Sequence, residues 1–163
     1  MRRAAPAMLL PLLLGAAPMN TPVAAAEACN TWTVEMQEDE GGPVLTASAC
    51  ATDRPDAYLA LTCSRGRVYL RYDLAAGAER SPDLEEVADV DFTVGVSTQR
   101  LSMRYEEMDA RHAADVPASG PLVSLLKTGE SVGISDAAGR YPQHAFSLVG
   151  SSSAIANLIA QCR

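Results

Sequence analysis

Two histidines, four cysteines, a triplet of acids and a run alternating arginine with tyrosine are the residues whose types could do chemistry in this chain. His112 lies among Glu106, Glu107, Asp109 and Asp115. On a helix Met108, His112 and Asp115 would share a face, as a metal or acid–base site needs. One histidine among charged residues is more often part of a solvated surface, and that is the expectation here. His144, beside Ala145 and Phe146, is expected as a half-buried structural residue of a strand. Glu38, Asp39 and Glu40 lack the alternating spacing of a calcium loop and are expected at a solvated hairpin tip. Asp83, Glu85, Glu86, Asp89 and Asp91 form a second acidic stretch, a solvated face or a surface for a basic partner. Arg67, Tyr69 and Arg71 would present cations and a ring on one face of a strand. They would meet either an anionic or acidic partner or the chain's own acids.

Catalytic signatures are missing. Ser151, Ser152 and Ser153 follow Gly150, but no G-x-S-x-G elbow surrounds them, and helix capping accounts for them. The sequence has no P-loop, no G-x-G-x-x-G and no H-E-x-x-H. No cofactor is expected.

The N-terminus has the three parts of a secretory signal. Arg2 and Arg3 are followed by an apolar run centred on Leu9, Leu10, Leu12, Leu13 and Leu14, and Ala24-Ala25-Ala26 precedes Glu27. Residues 1–26 are therefore expected to be removed, leaving 27–163 as a single exported β-rich domain. Of 13 basic and 20 acidic side chains, Arg2 and Arg3 fall in 1–26 and no acid does, so the remainder carries a net charge of −9. That sign argues against nucleic acid and against an anionic membrane surface as partners. No later stretch approaches the ~18 apolar residues of a membrane span, so no stable membrane insertion is expected after cleavage. The expected location is the periplasm or the exterior.

Cys29, Cys50, Cys63 and Cys162 all survive cleavage, and an even count in an exported chain implies two disulfides. If 31–37 and 44–50 form a hairpin around the acidic turn, Cys29 falls beside Cys50. The expected pairing is then Cys29–Cys50 and Cys63–Cys162. Zinc is the weaker alternative, since there is no C-x2-C pair and no histidine near these cysteines.

The elements that must position these residues are mostly strands. Alternation predicts strands over 31–37, 44–50, 57–63, 67–73, 91–97, 100–106, 131–135 and 141–148. Ser64-Arg65-Gly66 serves as a hairpin link, and Val68, Leu70 and Tyr72 form the buried face of the fourth strand. Residues 75–89 are expected as a loop. Pro121 and Gly129 bound one short helix. The stripe Ile155, Leu158, Ile159 and Cys162 marks a second, for which Gly150 and Ser151-Ser152-Ser153 offer N-caps, that brings Cys162 to the sheet. The predicted fold is mainly β: an antiparallel β-sandwich-like domain of seven or eight strands with two short helices near the C-terminus, stabilised by disulfides.

Several short segments resemble a class of small exported proteobacterial proteins. They are Cys29-Asn30-Thr31-Trp32, the strand Leu59 to Cys63 running into Ser64-Arg65-Gly66, Leu125 to Val132, and Phe146 to Ile155. The pattern resembles the invasion-associated locus B family and is similar to periplasmic accessory proteins associated with type VI secretion. The resemblance covers the first 45 or so residues after the signal and the last 40 or so. It implies a periplasmic β-sandwich-like domain acting as an envelope or host-interaction factor, with no catalytic residue to carry over. The expected function is accordingly a non-catalytic protein-binding or envelope accessory module, with Glu38, Asp39, Glu40, Arg67, Tyr69 and Arg71 as candidate partner-binding residues. An inhibitor of a secreted hydrolase such as lysozyme is the alternative, and an enzyme the third reading.

Overall fold

The structure, a computed structural model, describes residues 29–39 and 42–162. The expected signal segment 1–26 and Glu40 lie outside the described residues. Nine strands follow in chain order: β1 (Thr33–Asp39), β2 (Gly42–Cys50), β3 (Tyr58–Ser64), β4 (Arg67–Tyr72), β5 (Val87–Val94), β6 (Ser97–Glu106), β7 (Arg111–Val116), β8 (Ser131–Asp136) and β9 (His144–Ser147). Helix α1 (Pro121–Thr128) precedes β8, and α2 (Ser151–Gln161) ends the chain. All strands belong to one antiparallel sheet in the order β1-β2-β3-β4-β7-β6-β5-β8-β9.

The sheet rolls until its two sides meet. Just beyond β2, Ala51 bridges to Phe146 of β9, and the Thr52 amide donates to the Ala145 carbonyl at 2.7 Å. Trp32, at the root of β1, donates its amide to Val149 O and its indole Nε1 to Ser147 O. Side-chain alternation then sends one face of each strand into the enclosed core. Ala47 and Ala49 of β2, Leu59 and Leu61 of β3, Val68, Leu70 and Tyr72 of β4, and Ala88, Val90 and Phe92 of β5 are all buried there. Small residues on β2 stand opposite leucines on β3 (Ala47 against Leu61, Ala49 against Leu59), so large and small side chains alternate across the inward face.

Both helices cover this core. Leu122, Val123 and Leu126 of α1 and Ala154, Ile155 and Leu158 of α2 are buried against it. Pro121 starts α1, where its missing N–H costs nothing. The serines do not cap α2. Its N-cap is Gly150, at φ +83, a conformation that suits glycine. Buried Ser151 instead places Oγ 2.7 Å from the carbonyl oxygens of Leu126 and Leu148, tying the end of α1 to the start of α2.

Both disulfides have the expected pairing. Cys29–Cys50 spans 5.2 Å between Cα atoms, and Cys63–Cys162 spans 5.4 Å. Cys63 shares the inward face with Leu59 and Leu61, so its bridge fixes the C-terminal helix to the inside of the sheet.

Three expectations about the strands are corrected. The strand expected over 91–97 is shifted: β5 begins at Val87, within the expected loop. Gly95 (φ +58) and Val96 make the two-residue turn to β6, leaving Val96 fully exposed instead of facing the core with Phe92. Residues 111–116 form β7, between β4 and β6, where a helical face of Met108, His112 and Asp115 was considered. The strand expected over 141–148 is confined to His144–Ser147.

The Cys63–Cys162 bridge closes a loop with a sequence separation of 99. The chain-entropy model assigns about 4.7 kcal/mol to such a loop. Replacing both cysteines with serine is expected to lower the unfolding free energy by about 3–5 kcal/mol, read by urea denaturation of the otherwise oxidised protein. A loss under about 1 kcal/mol would show that burial of α2, not the bridge, holds the C-terminus.

Candidate functional site

The densest group of ionisable side chains sits at one end of the rolled sheet, and strand alternation puts it there. Counting back along β5 from Phe92 through Val90 and Ala88, the next inward position is Glu86. The Tyr105 amide, donating to Glu86 O, continues the β5–β6 ladder to this point. Across the sheet Tyr105 pairs with His112, and His112 pairs with Tyr72, all on the same inward face. Asp136 opposes inward-facing Val90. The largely apolar core therefore ends in acids, tyrosines and a histidine.

Glu86 is the hub. Its side chain is only 7% exposed. Oε1 accepts the Tyr141 hydroxyl proton at 2.8 Å and lies 3.3 Å from a terminal nitrogen of Arg140. Oε2 lies 2.8 Å from Arg80 and accepts the Asp83 amide at 3.3 Å. Burial would raise this carboxyl. The Tyr141 hydroxyl, the Asp83 amide and the two guanidinium groups outweigh that and hold it below the ordinary glutamate range. The same contact works on Tyr141, whose hydroxyl is pushed up to about 12 by burial and by its hydrogen bond to Glu86. Arg140 also grips Asp136 through Nε and a terminal nitrogen, both at 2.9 Å, and the backbone amide of Arg140 donates to Asp136 at 2.7 Å. The guanidinium groups of Arg80 and Arg140 stand over the Tyr141 ring.

His112 faces this hub. Its Nε2 is 3.9 Å from Glu86 Oε1, and its ring packs against Tyr105 and Tyr141. It is 1% exposed, which corrects the expectation of a solvated surface. Neither ring nitrogen has a hydrogen-bond partner among the described residues. Burial lowers its basicity, and the opposing pull of Glu86 is weaker, so the neutral imidazole is favoured. A ring so enclosed does not reach a substrate outside the sheet. Among the described residues, no group of three metal-ligating side chains converges.

His144 is a separate fastening, buried as a strand residue should be. Its Nε2 donates to Ala76 O at 3.1 Å, and Nδ1 lies 3.2 Å from Asp53 Oδ2. The other oxygen of Asp53 accepts the Ala145 amide. Burial raises the Asp53 carboxyl, but these hydrogen bonds prevail and lower it. The seam between β2 and β9 is thereby joined to the 73–86 segment that crosses this end of the sheet. Gly77, at φ +70, lies so close to the Arg54 guanidinium that a Cβ there would fall 2.5 Å from it.

The candidate partner-binding residues separate into two fates. Arg71 and Asp39 come together at 3.0 Å, and Arg71 also meets Glu106 at 3.1 Å and Asp109 at 3.3 Å. Arg67 pairs with Asp115 and stands over the Tyr69 ring. The basic–aromatic face is thus matched by the chain's own acids, the second of the two outcomes weighed from the sequence. Asp39, Tyr69, Arg71 and Glu106 line a groove of about 250 Å³. Glu38, by contrast, is exposed beside the β1–β2 turn, and Glu35 is exposed on the outer face of β1.

Glu86, Tyr141, Arg140 and Asp136 were not recognised as a group from the sequence. The available signal was the run Glu86, Ala88, Val90, Phe92, which continues the inward alternation one step past the point where the strand was expected to begin.

Glu86 has a depressed pKa, so its contribution is complete above the ordinary carboxylate range and is lost as pH falls through the folded-state value. His112, also depressed, contributes fully above its ordinary value near 6.5 and loses that contribution as pH falls below it. The deficit of His112→Asn relative to the parent is expected to shrink between pH 7 and pH 5. Glu86→Gln is expected to cost about 1–3 kcal/mol at pH 7 and to flatten the acid limb of the stability curve below pH 5. Urea titrations across pH check both; parallel curves for parent and variants would refute the assignment.

No protein-family model matches the chain, and no curated protein and no solved structure matches it.

Proposed function

We propose that residues 27–163 act as an exported protein-binding module of the bacterial envelope, non-catalytic, docking a basic protein through an acid-rich surface. One observation carries this reading: six of the nine arginines among the described residues are spent internally. Arg54, Arg67, Arg71, Arg80, Arg100 and Arg140 are each ion-paired to acids of the same chain. The charge surplus therefore stands on exposed carboxylates, among them Glu35, Glu38, Glu79, Glu85, Glu107 and Glu130. A surface field of one sign speeds encounter with a partner of the opposite sign and suppresses like-charged ones. Two disulfides support the exported location, because such bridges persist in oxidising compartments. Among the described residues no helix is long and apolar enough to cross a membrane.

An inhibitor of a secreted hydrolase such as lysozyme is the second reading. The observation favouring it is the β1–β2 hairpin, which carries exposed Glu38 next to its turn and is braced at its base by Cys29–Cys50.

The test is capture from envelope extract by oxidised 27–163 across a salt series. Between ~0.01 M and ~1 M the Debye length shrinks from about 30 Å to about 3 Å. The expected result is a basic protein retained at low salt and released at high salt. Retention of a partner regardless of salt, or of none at any salt, would count against the reading. Loss of a hydrolase's activity on adding the protein would favour the inhibitor.

A further inference from the structure

We propose that the outer edge of β1 is a strand-addition site, which takes up an extended basic segment of the partner as a further strand. This names the mode of contact for the protein-binding reading above and rests on it.

The direction of the β1 backbone groups follows from register. Residues 65 and 66, both at positive φ, form a two-residue turn that makes Ser64 and Arg67 a hydrogen-bonded pair. Alternation across the sheet then makes Leu45 and Cys63 a hydrogen-bonded pair of β2 and β3. Leu45 faces Met36 on its other side, so Met36 and Leu45 are a non-hydrogen-bonded pair. By the same parity β1 bonds to β2 through Thr33, Glu35, Gln37 and Asp39. The amides and carbonyls of Val34, Met36 and Glu38 point away from β2. Two further facts agree. Pro43, which has no N–H, sits opposite Glu38, a position that asks β2 for none. Trp32, the preceding residue of the outward set, donates its amide away from β2 to Val149 O.

β1 is the first strand of the sheet order, and among the described residues no strand pairs with its outer edge. β9 meets the chain just beyond β2, at Ala51, and leaves the β1 portion of that side open. An unpaired edge is a template for another strand. The side chains here select which one. Met36 is 60% exposed, an apolar contact for a residue opposite it. Glu35 and Glu38, on opposite faces and both exposed, ask for cations three positions apart. The same acids disfavour a second copy of this chain, because pairing two β1 edges would gather both copies of Glu35 and Glu38.

The probe is a capped heptapeptide, Thr-Lys-Thr-Val-Lys-Val-Thr, which in antiparallel register sets lysines against Glu38 and Glu35 and a valine against Met36. Its addition to oxidised 27–163 is expected to slow amide hydrogen exchange at Val34, Met36 and Glu38 and to leave Glu35 and Gln37 unchanged. The same peptide N-methylated at the three residues opposite Val34, Met36 and Glu38 is expected to bind at least tenfold more weakly. Glu35→Lys with Glu38→Lys should weaken the unmethylated peptide at least tenfold. Met36→Pro removes one outward N–H and spares the β1–β2 ladder, and should do the same. Equal binding of the two peptides, absence of binding, or a dimer of the free protein that Met36→Pro dissolves would each overturn strand addition. Capture of the basic envelope protein at full strength by Met36→Pro would also overturn it, while leaving the protein-binding reading intact. Failure to capture any basic protein at low salt removes that broader reading instead.

Discussion

A single antiparallel sheet has two free sides, and the rest of this structure depends on how those sides meet. The seam between the end of β2 and β9 contains one bridge, Ala51 with Phe146, and the adjacent bond from Thr52 to Ala145. So short a ladder is a weak closure by itself. Side chains reinforce it on either flank. Trp32 reaches across to Ser147, and Asp53 holds the Ala145 amide while contacting His144, which in turn holds Ala76. Once the seam is closed, the inward faces of the strands enclose one continuous core.

Closure creates ends, and the two ends are handled differently. One is filled by polar groups whose positions follow from strand alternation. Glu86, His112, Asp136 and Tyr105 occupy inward positions at this end of the core, and Arg80 and Arg140 bring compensating charge to them. An arrangement of this kind is expensive to leave half satisfied, since a buried carboxylate without its guanidinium partners loses far more than the pair contributes. The C-terminal helix, fixed by Cys63–Cys162, covers the inner side of β1, β2 and β3. The two devices restrict different parts of the chain, one by charge and one by covalent constraint.

Closure also uses up the sheet unevenly. The end of β2 exchanges β1 for β9, so β1 runs on beside β2 with its own far edge unpaired among the described residues. A rolled sheet abolishes edges only where its sides overlap. The candidate interaction surface is therefore a consequence of the same geometry that builds the core. On the strand-addition proposal, the exposed acids on β1 would disfavour a second copy of the chain and favour a basic segment.

Local residue pattern determined much of the architecture. Alternation placed Val68, Leu70 and Tyr72 inward and Arg67, Tyr69 and Arg71 outward. The Pro121–Gly129 interval and the Ile155–Cys162 stripe marked both helices, and hairpin geometry was enough to pair Cys29 with Cys50. These depend on neighbours close in sequence, where period and turn chemistry decide. What tertiary structure alone decided was which distant positions share a face. Val96 falls within the strand expected over 91–97, but Gly95 turns the chain before it. His112 looked solvated because its acidic neighbours in sequence are not its neighbours in space: strand β7 carries it inward, next to Glu86 and Tyr141. The union of Glu86 with Arg140, and the open edge of β1, both follow from sheet order and closure. Those are set by long-range pairing, which a one-dimensional pattern does not encode.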